Sequence, residues 1–245
     1  MDLYTAQLNK TLSKKISGRV VADGSVALRI RCVANPESSS NYADAVLVSA
    51  TSLTLSINGA ADSTVGATGV LAFATYTTLG ALVDAINISS NWKAEIVAGL
   101  RSDSTGSSRL LARSTSTFRM YQDVELKWDS SAATGLDFVL EPADAFASND
   151  QYLAHRVSIK RLRALVNTSD SSTTDIIAYE VPRNRASTLR TITTVTAADN
   201  TEKDTGAADE AFFTAEYGNA ILVRFANAGG WADSGAYLEV QGERE

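Results

Sequence analysis

Apolar and polar residues alternate between Gly18 and Ala34, with Val26, Leu28, Ile30 and Cys32 on one side of an extended chain and Arg29 and Arg31 on the other. That period predicts a half-buried strand of an antiparallel sheet. Asn35-Pro36 and the serines at 38–40 end it, because proline cannot donate to a sheet ladder and this composition favours loops. Similar short runs predict strands at Ala45–Val48, Leu53–Ile57, Val70–Ala74, Ala94–Ala98, Arg109–Arg113, Val124–Trp128 and Leu136–Leu140. One internal segment has the helical period instead: Leu79, Leu82, Val83 and Ile86 stand at i, i+3, i+4 and i+7 and form an apolar stripe. Capped by Thr77 or Thr78 and closed by Asn87 and the serines beyond, this helix covers about 78–88.

Near the start of the chain Tyr4, Leu8 and Leu12 recur every fourth position, and Lys10, Lys14 and Lys15 gather at the end of the run. The pattern predicts a short amphipathic helix over 3–15 that either docks on a neighbouring subunit or frays, since a helix this short is marginal alone in water. Residues 141–153, EPADAFASNDQYL, combine a proline, small residues and acids and read as a linker. Beyond them strands are predicted at Val157–Leu165, Ile176–Val181, Leu189–Val195, Ala211–Glu216, Ala220–Phe225 and Ala236–Val240, with turn-rich loops at 167–174, 198–209 and 227–235. The chain so divides into an N-terminal arm or short helix (1–17), a β-rich domain with the one helix (18–140), the linker (141–153) and a C-terminal β domain (154–245). The expected fold is mainly β, with two sandwich or jelly-roll-like domains. No internal repeat of roughly 20–50 residues points to a solenoid or propeller.

Composition narrows the classes. In 245 residues, 44% are hydrophobic and 20% charged, so the chain has ordinary globular composition and length enough for one large or two smaller cores. A net charge of −6 without a long basic run argues against nucleic acid as a partner. No stretch approaches the roughly 20 apolar residues of a membrane helix. The sole cysteine, Cys32, excludes an intramolecular disulfide and reads as small buried filler on its strand. MDLYTAQLNKTLSKK lacks the apolar core of a signal peptide, so synthesis without export through a secretory route is expected.

Leu53-Thr-Leu-Ser-Ile-Asn-Gly59, then Thr78-Leu-Gly-Ala-Leu-Val-Asp-Ala-Ile-Asn87 and Ala94-Glu-Ile-Val-Ala98, read as an alternating strand, a turn at Asn58-Gly59, a second strand, a capped helix and a return strand. This order resembles the IN motif of flagellins and flagellar cap proteins, with SRLLARST at 108–115 in the place of the motif's last strand. The resemblance spans residues 53–115 and implies that the return strand pairs with the first two. Flagellar subunits also carry long heptad-bearing helices at both ends, a pattern neither end of this sequence has. The Ser/Thr/Ala/Gly-rich strands around the segment look like those of tailed-bacteriophage virion proteins. That second resemblance implies a structural, non-enzymatic role in a virion made in the host cytoplasm, as a capsid-decorating or capsid-attached protein, with a tail or baseplate accessory as one alternative. Its partners would be other capsid or tail subunits and further copies of the chain, in a trimer or another ring; a glycan-binding adhesin is the other alternative.

Candidate chemistry is sparse. His155 is the sole histidine, so a Ser-His-Asp or Cys-His mechanism must use it, yet Arg156, Lys160, Arg161 and Arg163 disfavour the imidazolium such chemistry creates. One His and one Cys do not fill a zinc shell. The basic run Arg156, Lys160, Arg161 and Arg163 reads either as a strand that docks on an acidic partner surface or as a solvated edge strand protected by charge. Asp199, Asn200, Glu202 and Asp204 offer oxygen ligands to calcium, but without EF-hand spacing, and acidic surface loops are common. Trp231, after Gly229-Gly230, offers a sugar-stacking face or a loop anchor, whereas Trp128 closes an alternating strand and reads as core. No catalytic residue, cofactor or metal site is nominated.

Overall fold

The computed structural model describes residues 11–16, 26–34, 44–105, 110, 117–118, 123–128, 135–140, 157–167, 173–182, 184–197, 201–205, 213–215, 219–227 and 235–244. In chain order the elements are β1 (Thr11–Ile16), β2 (Val26–Cys32), β3 (Asp44–Val48), β4 (Ser52–Ile57), β5 (Ala60–Ala61), β6 (Val70–Ala72), α1 (Leu79–Ile88), β7 (Trp92–Ile96), β8 (Thr117–Phe118) and β9 (Asp123–Lys127). They continue with β10 (Gly135–Leu140), β11 (Val157–Asn167), β12 (Thr174–Pro182), β13 (Arg190–Ala197), β14 (Thr201–Asp204), β15 (Phe213–Ala215), β16 (Asn219–Asn227) and β17 (Gly235–Arg244). Among the described residues the fold is mainly β, with one helix and several small antiparallel sheets.

The chain separates into two units, one formed by Asp23–Ala133 with Asn184–Ser187, the other by Met1–Ala22, Thr134–Arg183 and Thr188–Glu245. In the first, β7, β2 and β9 form a three-stranded sheet in that order, while β5, β4, β3 and β8 form another, with β6 also on β4. The alternation of β2 carries through: Leu28, Ile30 and Cys32 are fully buried and Arg29 and Arg31 only partly. It fails at Val26, which is half-buried while Ala27 is buried, because the register against β9 shifts between Val26 and Leu28. The Asn58-Gly59 turn joins β4 to β5 with Ile57 opposite Ala60, and both turn residues have positive φ, 56° and 78°, as a two-residue hairpin of the right twist needs.

The predicted helix forms with its predicted cap. Thr78 is extended and its Oγ1 accepts a hydrogen bond from Ala81 N–H at 3.2 Å. Leu79, Leu82, Val83 and Ile86 are buried in one core with Leu28, Ile30, Leu53, Leu55 and Trp92. Each such side chain stabilises by roughly 1.5–3 kcal/mol before ordering costs. The return strand departs from expectation: β7 pairs with β2, Leu28 opposite Ile96 through Cys32 opposite Trp92, rather than with β4 or β6. Packing of α1 above β7 carries the chain from one sheet of this unit to the other.

In the second unit, β1, β17, β11 and β14 form one sheet, with β15 also on β11, and β10, β16, β12 and β13 form another. Three expectations change here. Residues 11–16 are a strand, not the end of a helix, since antiparallel pairing from Thr11 opposite Glu243 to Ile16 opposite Leu238 satisfies backbone groups that a marginal helix leaves half-used. Within the predicted loop 198–209, Thr201–Asp204 is drawn into the ladder by β11, with Arg163 opposite Asp204. And β11 is an interior strand rather than an edge, paired with β17 on one side and with β14 and β15 on the other. The 141–153 segment lies outside the described residues.

Candidate functional site

The polar chemistry of the first unit gathers where the β5–β6 loop meets the end of α1 and the start of β7. Asp62 is nearly buried and hydrogen-bonded on both oxygens. Its Oδ1 accepts from Thr64 N–H at 3.0 Å and from Thr64 Oγ1 at 2.9 Å. Its Oδ2 accepts from Asn91 Nδ2 at 3.0 Å and from the fully buried Trp92 Nε1 at 2.9 Å. Thr64 Oγ1 also meets Ser89 Oγ at 2.6 Å, and Ser89 Oγ accepts from Asn91 N–H at 3.0 Å. Burial raises the pKa of Asp62, but hydrogen bonds from Thr64, Asn91 and Trp92 outweigh it and hold the carboxyl below the usual carboxylate value.

The two ends of α1 are held by other segments. Leu79 N–H donates to Asp103 O at 2.8 Å and Gly80 N–H to Arg101 O at 2.9 Å, so with Thr78 the first N–H groups of the helix are satisfied by neighbours. Arg101 also pairs with Asp84 on the helix. At the other end Lys93 Nζ lies 3.4 Å from Asn87 O and 3.5 Å from Ser89 O, a cation set against helix-end carbonyls. The Asn87 amide donates to Ala94 O at 2.9 Å and accepts from Ala94 N–H at 2.8 Å, doing for β7 what an adjacent strand would do.

On the three-stranded sheet Arg29 stands opposite Glu95 and Glu125, and Arg31 opposite Lys93 and Asp123. Arg29 Nη1 meets Glu95 Oε1 at 2.9 Å, and Arg31 grips Asp123 with two bonds of 2.6 and 2.9 Å. Arg185 is buried in the same unit, and its carbonyl accepts from Arg101 N–H at 2.8 Å. Burial pulls the Arg185 pKa down to about 10 against the opposing attraction of Glu95. In the second unit the buried Glu180 is held in the same manner as Asp62, by Arg190 Nε at 2.7 Å and Asn219 Nδ2 at 2.8 Å.

These arrangements join segments within each unit. A general acid near neutral pH needs a raised pKa, and Asp62 shows the opposite. Among the described residues no group of three or more His, Cys, Asp or Glu side chains is placed to hold a metal. No described helix is long and apolar enough to cross a membrane.

Of the residues singled out from the sequence, Tyr4, Leu8, His155, Arg156, Asp199, Asn200 and Trp231 lie outside the described residues. Leu12 pairs with Gly242 in β1. Lys160 sits where β11 shifts register against β17, and Arg163 faces Glu239. Arg161 Nε meets Asp204 Oδ1 at 2.9 Å, so two residues proposed for separate roles, partner docking and calcium binding, engage each other. Trp128 is buried as expected, with Nε1 donating to Ala98 O at 2.9 Å. The Asp62 cluster and Arg185 carry no signal in the sequence, because their partners are distant along the chain.

No family model matches this chain, and no curated protein matches it. Among solved structures a likeness is found to a chain of the crystal structure of the T13 IBDV viral particle, at 10% identity over 96% of this chain and 68% of that one. Its TM-score of 0.21 is too low to carry an argument.

Proposed function

We propose that this chain is a non-enzymatic structural component of a tailed-phage-like virion, decorating the capsid or attached to it, with a tail or baseplate accessory as the nearest variant. In this reading residues 53–115 keep the element order of an IN-like segment, with the return strand moved onto β2, and the two β regions are sandwich or jelly-roll-like domains. Copies of the chain associate with one another, in a trimer or another ring, and dock on neighbouring capsid or tail subunits. Tyr4, Leu8 and Leu12, with Arg156, Lys160, Arg161 and Arg163, are the proposed partner contacts.

The observation that carries the reading is how the buried polar groups are used. Asp62, Glu95 and Glu180, the buried acids among the described residues, are each bonded to side chains of their own unit and join strands and loops. Units held in this way suit assembly, where burial at interfaces stabilises by roughly 25 cal/mol per Å² of apolar area before association costs. Cosedimentation with particles assembled without the protein tests the proposal. Saturable uptake at a fixed ratio is the expected result; no uptake by capsids or tails, together with Trp231-dependent binding to a glycan, contradicts it.

A further inference from the structure

Within the sheet β10-β16-β12-β13, both end strands lack a second partner among the described residues, and they differ in character. An open strand edge is a template for another chain, and proteins blunt it with charge, proline or a bulge. Strand β10, GLDFVL, has an acid at its centre, Asp137. Strand β13, RTITTVTA, has its only charge at the first position, no proline, and six β-branched residues in succession. Its one irregularity falls early, where the register against β12 shifts near Ile192, and from Thr193 to Ala197 the pairing is regular. Thr194 and Thr196 are exposed in this regular stretch.

We propose that the edge of β13 away from β12 pairs antiparallel with β13 of a second copy of this chain, about a two-fold axis normal to the sheet. The uncharged run from Thr191 to Ala197 suits a second copy of itself, and the charged first residue sets the direction. Two antiparallel copies bring threonine against threonine in the middle and keep the two Arg190–Glu180 ion pairs at opposite ends, whereas a parallel pair would crowd one against the other. Symmetry fixes the faces as well. A two-fold axis normal to the sheet keeps each residue on the same face in both copies, so Thr194 and Thr196 meet Thr194 and Thr196 of the second copy. Five to seven paired residues bury less than the roughly 1,000 Å² expected of a stable interface, so the contact is weak in dilute solution and strengthened where copies are held close on a particle. An isologous contact closes at two copies, so it would join pairs of chains or link two rings. The inference rests on the self-association in the reading above and adds to it a two-fold contact, made between single chains or between rings and not within a ring.

The test uses the full chain and two double variants, Thr194→Lys with Thr196→Lys and Thr194→Glu with Thr196→Glu, with mass measured by light scattering as concentration is raised. Both positions are exposed, and Thr196 gives up a hydrogen bond of 2.6 Å to Asp175 Oδ1, so circular dichroism first establishes that each variant keeps the parent's fold at the temperature of the mass measurement. The expected result is a parent mass that doubles as concentration is raised, from that of one 26.0 kDa chain or of one ring, two variants that do not show this doubling, and its return when the Lys and Glu variants are mixed. A parent whose mass doubles and variants whose mass doubles equally well overturn the β13 contact while leaving self-association standing. Variants whose mass does not double even when mixed overturn the two-fold arrangement. A parent whose mass doubles at no concentration overturns the inference, and particle uptake then decides the wider reading independently.

Discussion

The side-chain amide of Asn87 forms a closed pair of hydrogen bonds with the backbone of Ala94, one bond from N–H and one to C=O. The last turn of α1 therefore finishes the edge of β7, and the helix is joined to the sheet by polar geometry as well as by its apolar stripe. Asn87 also sits in an Asn-Ile-Ser sequon, but its amide nitrogen is engaged by Ala94. Asn87→Ala should lower the stability of this unit by about 2 kcal/mol, because two backbone groups of β7 lose their partner. Asn87→Asp should recover only part of the loss, since a carboxylate accepts from Ala94 N–H but cannot donate to Ala94 O. Urea unfolding followed by tryptophan fluorescence measures both, and Trp92 and Trp128, both buried, report on this unit.

Asp62 should make the unit acid-sensitive. Its folded-state pKa lies below the ordinary value, so folding favours the ionised form. Its contribution is fully present above the unfolded pKa, about 3.9, and is lost as pH falls through the lower folded value. Asp62→Asn should be less stable near neutral pH and should flatten the acid limb. Urea midpoints from pH 7 to pH 2 check this; parallel curves for parent and variant would show that Asp62 does not contribute to it.

Gly80→Ala sets a helix propensity gain of about 1 kcal/mol against a steric clash. A Cβ at Gly80 would lie 2.9 Å from both the Cβ and the carbonyl oxygen of Arg101, backbone and near-backbone atoms that cannot swing away. The clash should win, with a net loss of about 1–2 kcal/mol. A thermal midpoint above the parent's would mean that the 101–105 segment moves aside readily.

Local patterns were readable from the sequence, and partners were not. The stripe of Leu79, Leu82, Val83 and Ile86, the Thr78 cap and the Asn58-Gly59 turn each depend on residues close together in the chain, and each stands where the pattern placed it. Strand β1 was hidden because its state is decided by β17, at the far end of the sequence. Acidic Thr201–Asp204 reads as loop until β11 pairs with it. The Asp62 cluster was invisible for the same reason, with Asn91 and Trp92 lying 29 and 30 residues away. Asn87 was visible within Ala-Ile-Asn, but only its meeting with Ala94 gives it a task.

Arg31 and Asp123 should be coupled modestly. Their two bonds are partly exposed, at 21% and 31% of the side-chain surface, so solvent screens the charges. Arg31→Ala should cost about 1 kcal/mol or less, and the pairwise term from a double-mutant cycle with Asp123→Ala should shrink as salt rises.

The role in a virion is tested most directly by the mass of the purified protein in solution, measured by light scattering alone and then after mixing with capsids or tails that lack it. The account predicts self-association and a fixed increment of mass on one class of particle, which would also tell capsid from tail. A monomer that leaves the mass of both particles unchanged would contradict it.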